Sequence, residues 1–251
     1  MWTRELLKSN AKQALQGRYW RSFWVCLVLS FVGLGGASAS SGSAARQTVN
    51  TAGGDTASIY EMFSDIPDNM LAALAVGAFI GAIISICWVL FVLYPLKVGR
   101  CRYFMESRQS LTPASTVVST FRQPYGNPII VQLLTNLKVF LGFLLLIVPG
   151  IYWDYCYTLV PYLLAENPYM SATRAMELSK QMMDGEKWNT FVLQLSFIGW
   201  YLLCSITFGI GFIFLEPYVQ ATFAELYAAL RAKALANGYT NEYELGGFVR
   251  H

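Results

Sequence analysis

Three ionisable side chains lie inside long apolar stretches of the sequence: Lys138, Asp154 and Glu216. A charged side chain costs about 2.5–3.5 kcal/mol near the centre of a membrane-spanning helix, so such residues mark ligand, ion or proton sites unless they pair with each other. We therefore take these three as candidate ligand- or ion-binding residues, with Glu216 as the strongest.

Glu216 is followed directly by Pro217, whose ring takes one backbone carbonyl out of the helix hydrogen-bonding pattern. A carboxylate beside free carbonyl oxygens could bind a cation, a proton or an amine. The competing interpretation is a structural ion pair between Glu216 and Lys138. Asp154 is close enough to the end of its apolar stretch to lie at the membrane surface, and Glu225 is expected to be solvated.

Metal and catalytic chemistry have little support in the sequence. The five cysteines occur singly and form no C-x-x-C pair, and the one histidine, His251, is the last residue. Phosphate-binding loops, G-x-S-x-G and H-E-x-x-H motifs are absent. We expect no metal, no cofactor and no enzymatic activity.

The composition indicates that lipid, rather than water, surrounds most of the chain. Hydrophobic residues make up 55% of the sequence and charged residues 13%, against about 25% charged residues in ordinary soluble domains. Apolar windows of the length that crosses a bilayer, about 20 residues, fall at 19–36, 70–94, 129–148, 151–166, 189–208 and 210–229. The fold class that this predicts is all-α: a polytopic transmembrane helix bundle of six spans, forming a single integral membrane domain.

Glycine and proline predict the tight connections in this bundle. Pro149-Gly150 separates spans three and four, Gly209 and Gly211 separate spans five and six, and Pro217 breaks span six. Residues 129–166 are slightly short for two crossings, so a re-entrant hairpin fits them equally well.

Two amphipathic helices are expected at the membrane surface. Residues 1–18 place apolar side chains on one face of a basic helix. Between spans four and five, Asn167 as N-cap and Pro168 at the first helical position begin an interfacial helix, which Gly185 ends.

The segments outside these helices are polar. Residues 37–69 predict a flexible external loop and residues 231–251 a cytoplasmic tail. Asp68 is a candidate cap for span two. An alternative interpretation takes the N-terminus as a signal peptide cleaved at Ala37-Ser38-Ala39.

The distribution of positive charge predicts the orientation. Of the 18 lysines and arginines, 16 fall in the N-terminal segment, the 95–128 loop, the 167–188 helix and the tail, while Arg46 lies in the predicted external loop. Cytoplasmic loops carry the excess of positive charge, so both termini are expected in the cytoplasm. Anionic lipid headgroups account for the basic loops, and we expect no nucleic-acid partner.

Gly77 and Gly81 in span two match the G-x-x-x-G motif for close helix packing. The motif fits packing within the bundle or formation of a homodimer.

The residues above resemble a bacterial family of integral membrane proteins catalogued as domain of unknown function nine-seven-five. The resemblance covers most of the chain outside the 37–69 loop and the tail, and it rests on these segments: Arg4-Glu5-Leu6, Ala11 to Tyr19, Pro95-Leu96 with Gly99, LLLIVPGIYW at 144–153, Tyr157, Pro161-Tyr162, ENP at 166–168, Ser171-Ala172, Ala175-Met176, Leu178-Ser179-Lys180, Met183, Gly185, LSFIGW at 195–200, GIG at 209–211 and Pro217-Tyr218. The resemblance implies a multi-pass protein of the bacterial plasma membrane and brings no catalytic residue.

Two functional hypotheses follow. The first is a non-enzymatic membrane protein that binds membrane lipid or a partner protein in support of the cell envelope. The alternative is a transporter or channel-like protein for a small solute or ion, using Glu216 and the broken helices at Pro149-Gly150 and Pro217. A lipid-sized lateral groove would favour the first hypothesis, and a polar cavity containing Glu216 would favour the second.

Overall fold

The computed structural model describes residues 2–38, 68–122, 124–206 and 210–246, and every regular element in these ranges is helical. The prediction of an all-α fold is therefore confirmed for this part of the chain. Several predicted features lie wholly or partly outside the described residues: residues 39–67 of the external loop, Ala39 of the candidate cleavage site, Gly209, and residues 247–251 of the tail.

The α-helices in chain order are α1 Arg4–Leu15, α2 Tyr19–Ser38, α3 Asp68–Trp88, α4 Tyr94–Ser107, α5 Gly126–Leu145, α6 Ile147–Tyr157, α7 Val160–Glu166, α8 Ala172–Met182, α9 Lys187–Ile206, α10 Ile210–Ala236 and α11 Glu242–Leu245. A π-helical turn at Val89–Leu93 joins α3 to α4, and a 3₁₀ helix occupies Ala114–Phe121.

Three helices in the described part of the chain are long and apolar enough to cross a membrane: Ala75–Ser107, Gly126–Leu145 and Lys187–Ile206. This is fewer than the six spans predicted. The fourth predicted span, 151–166, is divided between α6 and α7. With its 11 residues, α6 is about 16 Å long, roughly half of the bilayer core of about 30 Å.

The turn between α5 and α6 lies at Leu146, and the prediction of a turn at Pro149-Gly150 is wrong. Leu146 is extended, with φ −162° and ψ 152°, and α6 begins at the next residue. Pro149 is tolerated in the first turn of α6 because backbone N–H groups in that turn have no intrahelical acceptor, so the N–H that proline lacks is not missed there. Gly150 allows α6 to pack closely against α5, since a Cβ at this position would lie 2.8 Å from the backbone nitrogen of Phe143.

Pro217 does not break a helix either. The 27-residue helix α10 continues through it, because a proline removes one backbone hydrogen bond while its fixed φ remains compatible with helical geometry. Gly211, near the start of α10, permits close helix packing. A Cβ on Gly211 would lie 3.0 Å from the Cα of Cys204, so this glycine allows α9 and α10 to approach closely.

Helix α8 begins at Ala172 with Ser171 as N-cap, whereas the sequence predicts that Asn167 and Pro168 start it. The Ser171 hydroxyl accepts a hydrogen bond from the Arg174 backbone N–H at 3.4 Å. Asn167 has φ −126° and ψ 95°, and its backbone N–H donates to the carbonyl of Leu163 at 2.8 Å. A residue before proline is disfavoured in the helical region, so Asn167 ends α7 instead.

The chain divides into two compact units, residues 1–30 with 94–251 and residues 31–93. In the first unit, α1 packs on α10 and buries Leu7, Ala11 and Leu15. All seven residues of α7 are buried, and α7 contacts α4 and α8. The apolar face of α1 is thus used to pack against protein.

The second unit contains the end of α2, α3 and the π-helical turn. The Trp88 indole N–H donates to the carbonyl of Val32 at 3.2 Å. Among the described residues, nothing lies within 4 Å of a Cβ built on Gly77, so this part of the chain leaves its predicted packing surface uncovered.

Candidate functional site

Glu216 forms an ion pair with Arg100 of α4, and the expected Lys138 partner lies elsewhere. The carboxylate Oε1 accepts from Nη1 of Arg100 at 3.0 Å and from Nε2 of Gln220 at 2.8 Å. Lys138 is exposed on α5. The helix that lies against α10 at this position is α4, and it carries the arginine that compensates the charge of Glu216.

Glu225 is also paired and is not solvated as predicted. Arg108, just beyond the end of α4, donates to both carboxylate oxygens, Nε to Oε1 at 2.6 Å and Nη2 to Oε2 at 3.1 Å. Only 7% of Glu225 is exposed. The later of the two arginines, Arg108, pairs with the later glutamate of α10, Glu225, and the earlier Arg100 pairs with the earlier Glu216. Helices α4 and α10 therefore run parallel.

Asp154 lies on the wall of a polar cavity of about 230 Å³. The same cavity is lined by Lys97 and Arg100 from α4 and by Gln220 from α10. The structure therefore brings Asp154 near the Arg100–Glu216 pair, while Lys138 is not among the residues of this cavity.

A second and larger concavity, of about 650 Å³, lies beside α1 and is called here the α1 groove. One side is basic and is formed by Lys8 and Lys12. The other side is formed mainly by apolar residues of α9 and α10: Trp200, Leu203, Cys204, Gly211, Phe214, Leu215 and Tyr218. Two ammonium groups thus face a wall of almost entirely hydrocarbon and aromatic surface.

Lys8 also contacts an aromatic ring that is not part of the groove wall. Its Nζ lies 4.5 Å from the ring centroid of Phe197 in α9, a distance at which a cation is attracted to the face of the ring. Burial lowers the pKa of the Lys8 ammonium from its usual 10.5, and the neighbouring charges of Arg4 and Lys12 lower it further. An anion bound beside Lys8 would relieve this unfavourable electrostatic environment.

Two large apolar residues of the groove wall are more than half exposed. Trp200 is 55% exposed and Leu203 is 57% exposed. Tyr19, at the start of α2, donates its hydroxyl to the carbonyl of Phe214 at 2.9 Å, and the rings of Phe23 and Phe214 stack with centroids 4.9 Å apart. These contacts fix the beginning of α10, which forms part of the groove wall.

The structure contains a buried charged cluster that the sequence does not predict. Arg231 of α10 pairs with Glu166 of α7 at 2.8 Å, and the Tyr227 hydroxyl donates to the same carboxylate. Arg231 was counted with the cytoplasmic tail. The signal that could have identified it is its position in AALRAKALA, where apolar residues surround a single arginine on the inward face of a helix.

Comparisons with known proteins give one match. Residues 57–234 match the family model described as Protein of unknown function (DUF975). No curated protein and no solved structure matches the chain. The match covers well over half of the sequence and includes α3 to α9 and most of α10, and the chain therefore belongs to the DUF975 family.

Proposed function

We propose that this protein is a non-enzymatic integral membrane protein of the bacterial plasma membrane that binds an anionic phospholipid in the α1 groove. The observation that carries the proposal is the pairing of two lysines, Lys8 and Lys12, with an apolar wall in one concavity of about 650 Å³. An acyl chain fits the apolar wall, and a phosphate fits the lysines.

Charge favours an anionic lipid over a neutral one. A basic side chain next to an anionic lipid surface contributes about 1 kcal/mol, so two lysines favour an anionic headgroup by about 2 kcal/mol, or roughly thirtyfold in affinity. Arg4 adds a further positive charge one turn before Lys8, and the helical spacing of positions 4, 8 and 12 keeps all three charges on one side of α1.

The cytoplasmic location of both termini stays a separate prediction, because Leu203 and Gly211 of the groove wall flank the predicted external turn between spans five and six. Its support is the concentration of positive charge in the predicted cytoplasmic segments and the parallel direction of α4 and α10. The short α6 favours a re-entrant hairpin for residues 129–166. A hairpin that enters and leaves on one side keeps the number of crossings even, so the termini remain on the same side.

Transport through Glu216 receives less support. Its carboxylate already accepts from Arg100 and Gln220, and α10 is unbroken at Pro217. Homodimerisation through Gly77 and Gly81 stays a prediction.

Native mass spectrometry with defined lipids tests the proposed function. The full-length protein is equilibrated with equal amounts of phosphatidylglycerol and phosphatidylcholine in detergent, and the retained lipid is identified. We expect preferential retention of phosphatidylglycerol, a loss of this preference in the Lys8→Gln/Lys12→Gln double variant, and no change in Lys180→Gln. Lys180 is the matched control because it is an exposed lysine on α8, away from the groove.

Two results would contradict lipid binding at this site. One is equal retention of the two lipids by the unmodified protein. The other is a preference for phosphatidylglycerol that survives the double substitution while both variants remain folded.

A further inference from the structure

The polar cavity that contains Asp154 has the features of a binding site for a small solute. It lies where α4, α5, α6, α7, α9 and α10 meet, and its volume is about 230 Å³. Several polar side chains on its wall already have partners within the protein. Thr135 donates to the carbonyl of Val131 at 2.7 Å, and Gln220 donates to Glu216 at 2.8 Å.

Two hydrogen-bond donors on the wall have no partner among the described residues. Gln132 is 1% exposed, and its Nε2 is buried without a hydrogen bond. The Nε of Arg100 is buried without one as well, although its Nη1 is bound to Glu216. A buried donor left unpaired costs about 1–3 kcal/mol, so an acceptor oxygen that reaches either group from the cavity would be favoured.

The charges on and beside the cavity balance. Lys97 and Arg100 contribute two positive charges. Asp154 on the same wall and Glu216, which pairs with Arg100, contribute two negative charges. Charged groups in a site of low polarity require compensation. A ligand with a net charge would disturb this balance, whereas a ligand that carries one charge of each sign would preserve it.

We propose that this cavity binds a small zwitterion that carries a carboxylate and an ammonium group, the chemistry of a free α-amino acid. The carboxylate accepts hydrogen bonds from Gln132 and Arg100 and lies near Lys97. The ammonium group is paired with Asp154. The site is separate from the α1 groove, since the two concavities share no lining residue.

The test uses three small probes that differ in the charged groups they carry: alanine, propionate and ethylamine. Alanine carries both groups, propionate lacks the ammonium group, and ethylamine lacks the carboxylate. The thermal unfolding of the full-length protein in detergent is measured at increasing concentrations of each probe. A ligand that binds the folded state raises the unfolding temperature, and we expect the largest rise with alanine.

Variants assign the effect to the cavity. We expect Gln132→Leu to lose most of the response to alanine while remaining as stable as the unmodified protein without ligand, because an apolar side chain of similar shape replaces an unpaired donor. In Asp154→Asn, alanine and propionate should give equal responses. Lys138→Met is the matched control, since Lys138 is exposed on the same helix as Gln132, and its response to alanine should be unchanged.

Four outcomes would overturn the proposal. A response to propionate that equals the response to alanine in the unmodified protein would identify a simple anion site, and a larger response to ethylamine would identify a cation site. The absence of a response to all three probes would show that the cavity binds none of them. A response to alanine that persists in Gln132→Leu would show that alanine binds without Gln132, at another place on the protein.

Discussion

Arg231 and Glu166 form an ion pair whose side chains are only 1% and 0% exposed, and it joins α10 to α7 across 65 positions of sequence. The Arg231 guanidinium also donates through Nε, at 2.9 Å to Oε1 and 3.1 Å to Oε2 of the carboxylate. Tyr162 and Tyr227 stack beside the pair with ring centroids 5.4 Å apart. The pair thus connects two helices whose surroundings are otherwise aromatic and apolar.

Replacing one member of this pair should cost far more stability than replacing both. Glu166→Gln or Arg231→Met removes one member of a buried ion pair and keeps the other charge buried, and we expect a loss of about 3–5 kcal/mol in the free energy of unfolding. The Glu166→Gln/Arg231→Met double variant should recover much of that loss. Chemical unfolding of the purified protein in detergent measures all three, and additive losses in the double variant would argue against direct coupling.

Gly99 should not tolerate even a methyl group. A Cβ at this position would lie 1.9 Å from the carbonyl oxygen of Val117 in the 3₁₀ helix, and a backbone atom cannot rotate away. We expect Gly99→Ala to destabilise the protein by about 1–3 kcal/mol or more, the usual range for overpacking. Gly199→Ala is the control, because nothing lies within 4 Å of its Cβ. Equal unfolding temperatures for the two variants would contradict the close approach of α4 to the 3₁₀ helix.

Docking of α11 should weaken in acid. Hydrogen bonds from Arg174 lower the pKa of the Glu244 carboxyl below its usual value of 4.5, although partial burial opposes them. A carboxyl whose pKa is lower in the folded state stabilises that state above its unfolded pKa, and this stabilisation is lost as the pH falls through the folded pKa. The unfolding temperature of the unmodified protein should therefore exceed that of Glu244→Gln at pH 7 and match it at pH 2.

A pH-independent difference between these two proteins would contradict that mechanism. Arg174→Met provides a further check, since it removes the partner while leaving the carboxyl in place. In Arg174→Met, we expect Glu244 to contribute little at any pH.

The tip of the α5–α6 hairpin should not reach the outer surface of the membrane. Leu146 and Val148 at this tip are 69% and 77% exposed, yet α6 is about 16 Å long and too short to return across the bilayer. In a variant without native cysteines, Leu146→Cys should resist a membrane-impermeant maleimide added to intact cells. Ser41→Cys, in the predicted external loop, should react. Labelling of both positions would indicate two full crossings.

The positions of the long apolar helices and of the basic amphipathic helix α1 could be predicted from hydrophobicity and charge, which each segment carries in its own residues. Long apolar helices occur at 75–107, 126–145 and 187–206, and the basic amphipathic α1 occurs at the predicted N-terminal position. Such properties are local, because a run of about 20 apolar residues can be recognised without knowing its neighbours. The family could be recognised for the same reason, from short motifs such as LSFIGW at 195–200.

The partners of the charged residues were decided only by the tertiary structure. Glu216 was expected to meet Lys138 and instead meets Arg100, and Glu225 was expected to meet water and instead meets Arg108. Successive residues of an α-helix are rotated by about 100°, so a small change in how two helices face each other selects a different partner. Sequence alone contains no information on that rotation once the partners are more than 100 positions apart.

Turn positions and cavities depended on tertiary packing as well. Pro149 and Gly150 do not form the turn because a proline is tolerated in the first turn of a helix and because Gly150 is used for the close contact with α5. The 167–188 segment likewise begins its helix at Ala172, since Asn167 ends α7. The sequence by itself determined that the chain forms apolar helices with a basic amphipathic start. Only the packing of those helices decided that Lys8 and Lys12 face an apolar groove and that Gln132 faces a polar cavity, because both sites are assembled from helices distant in sequence.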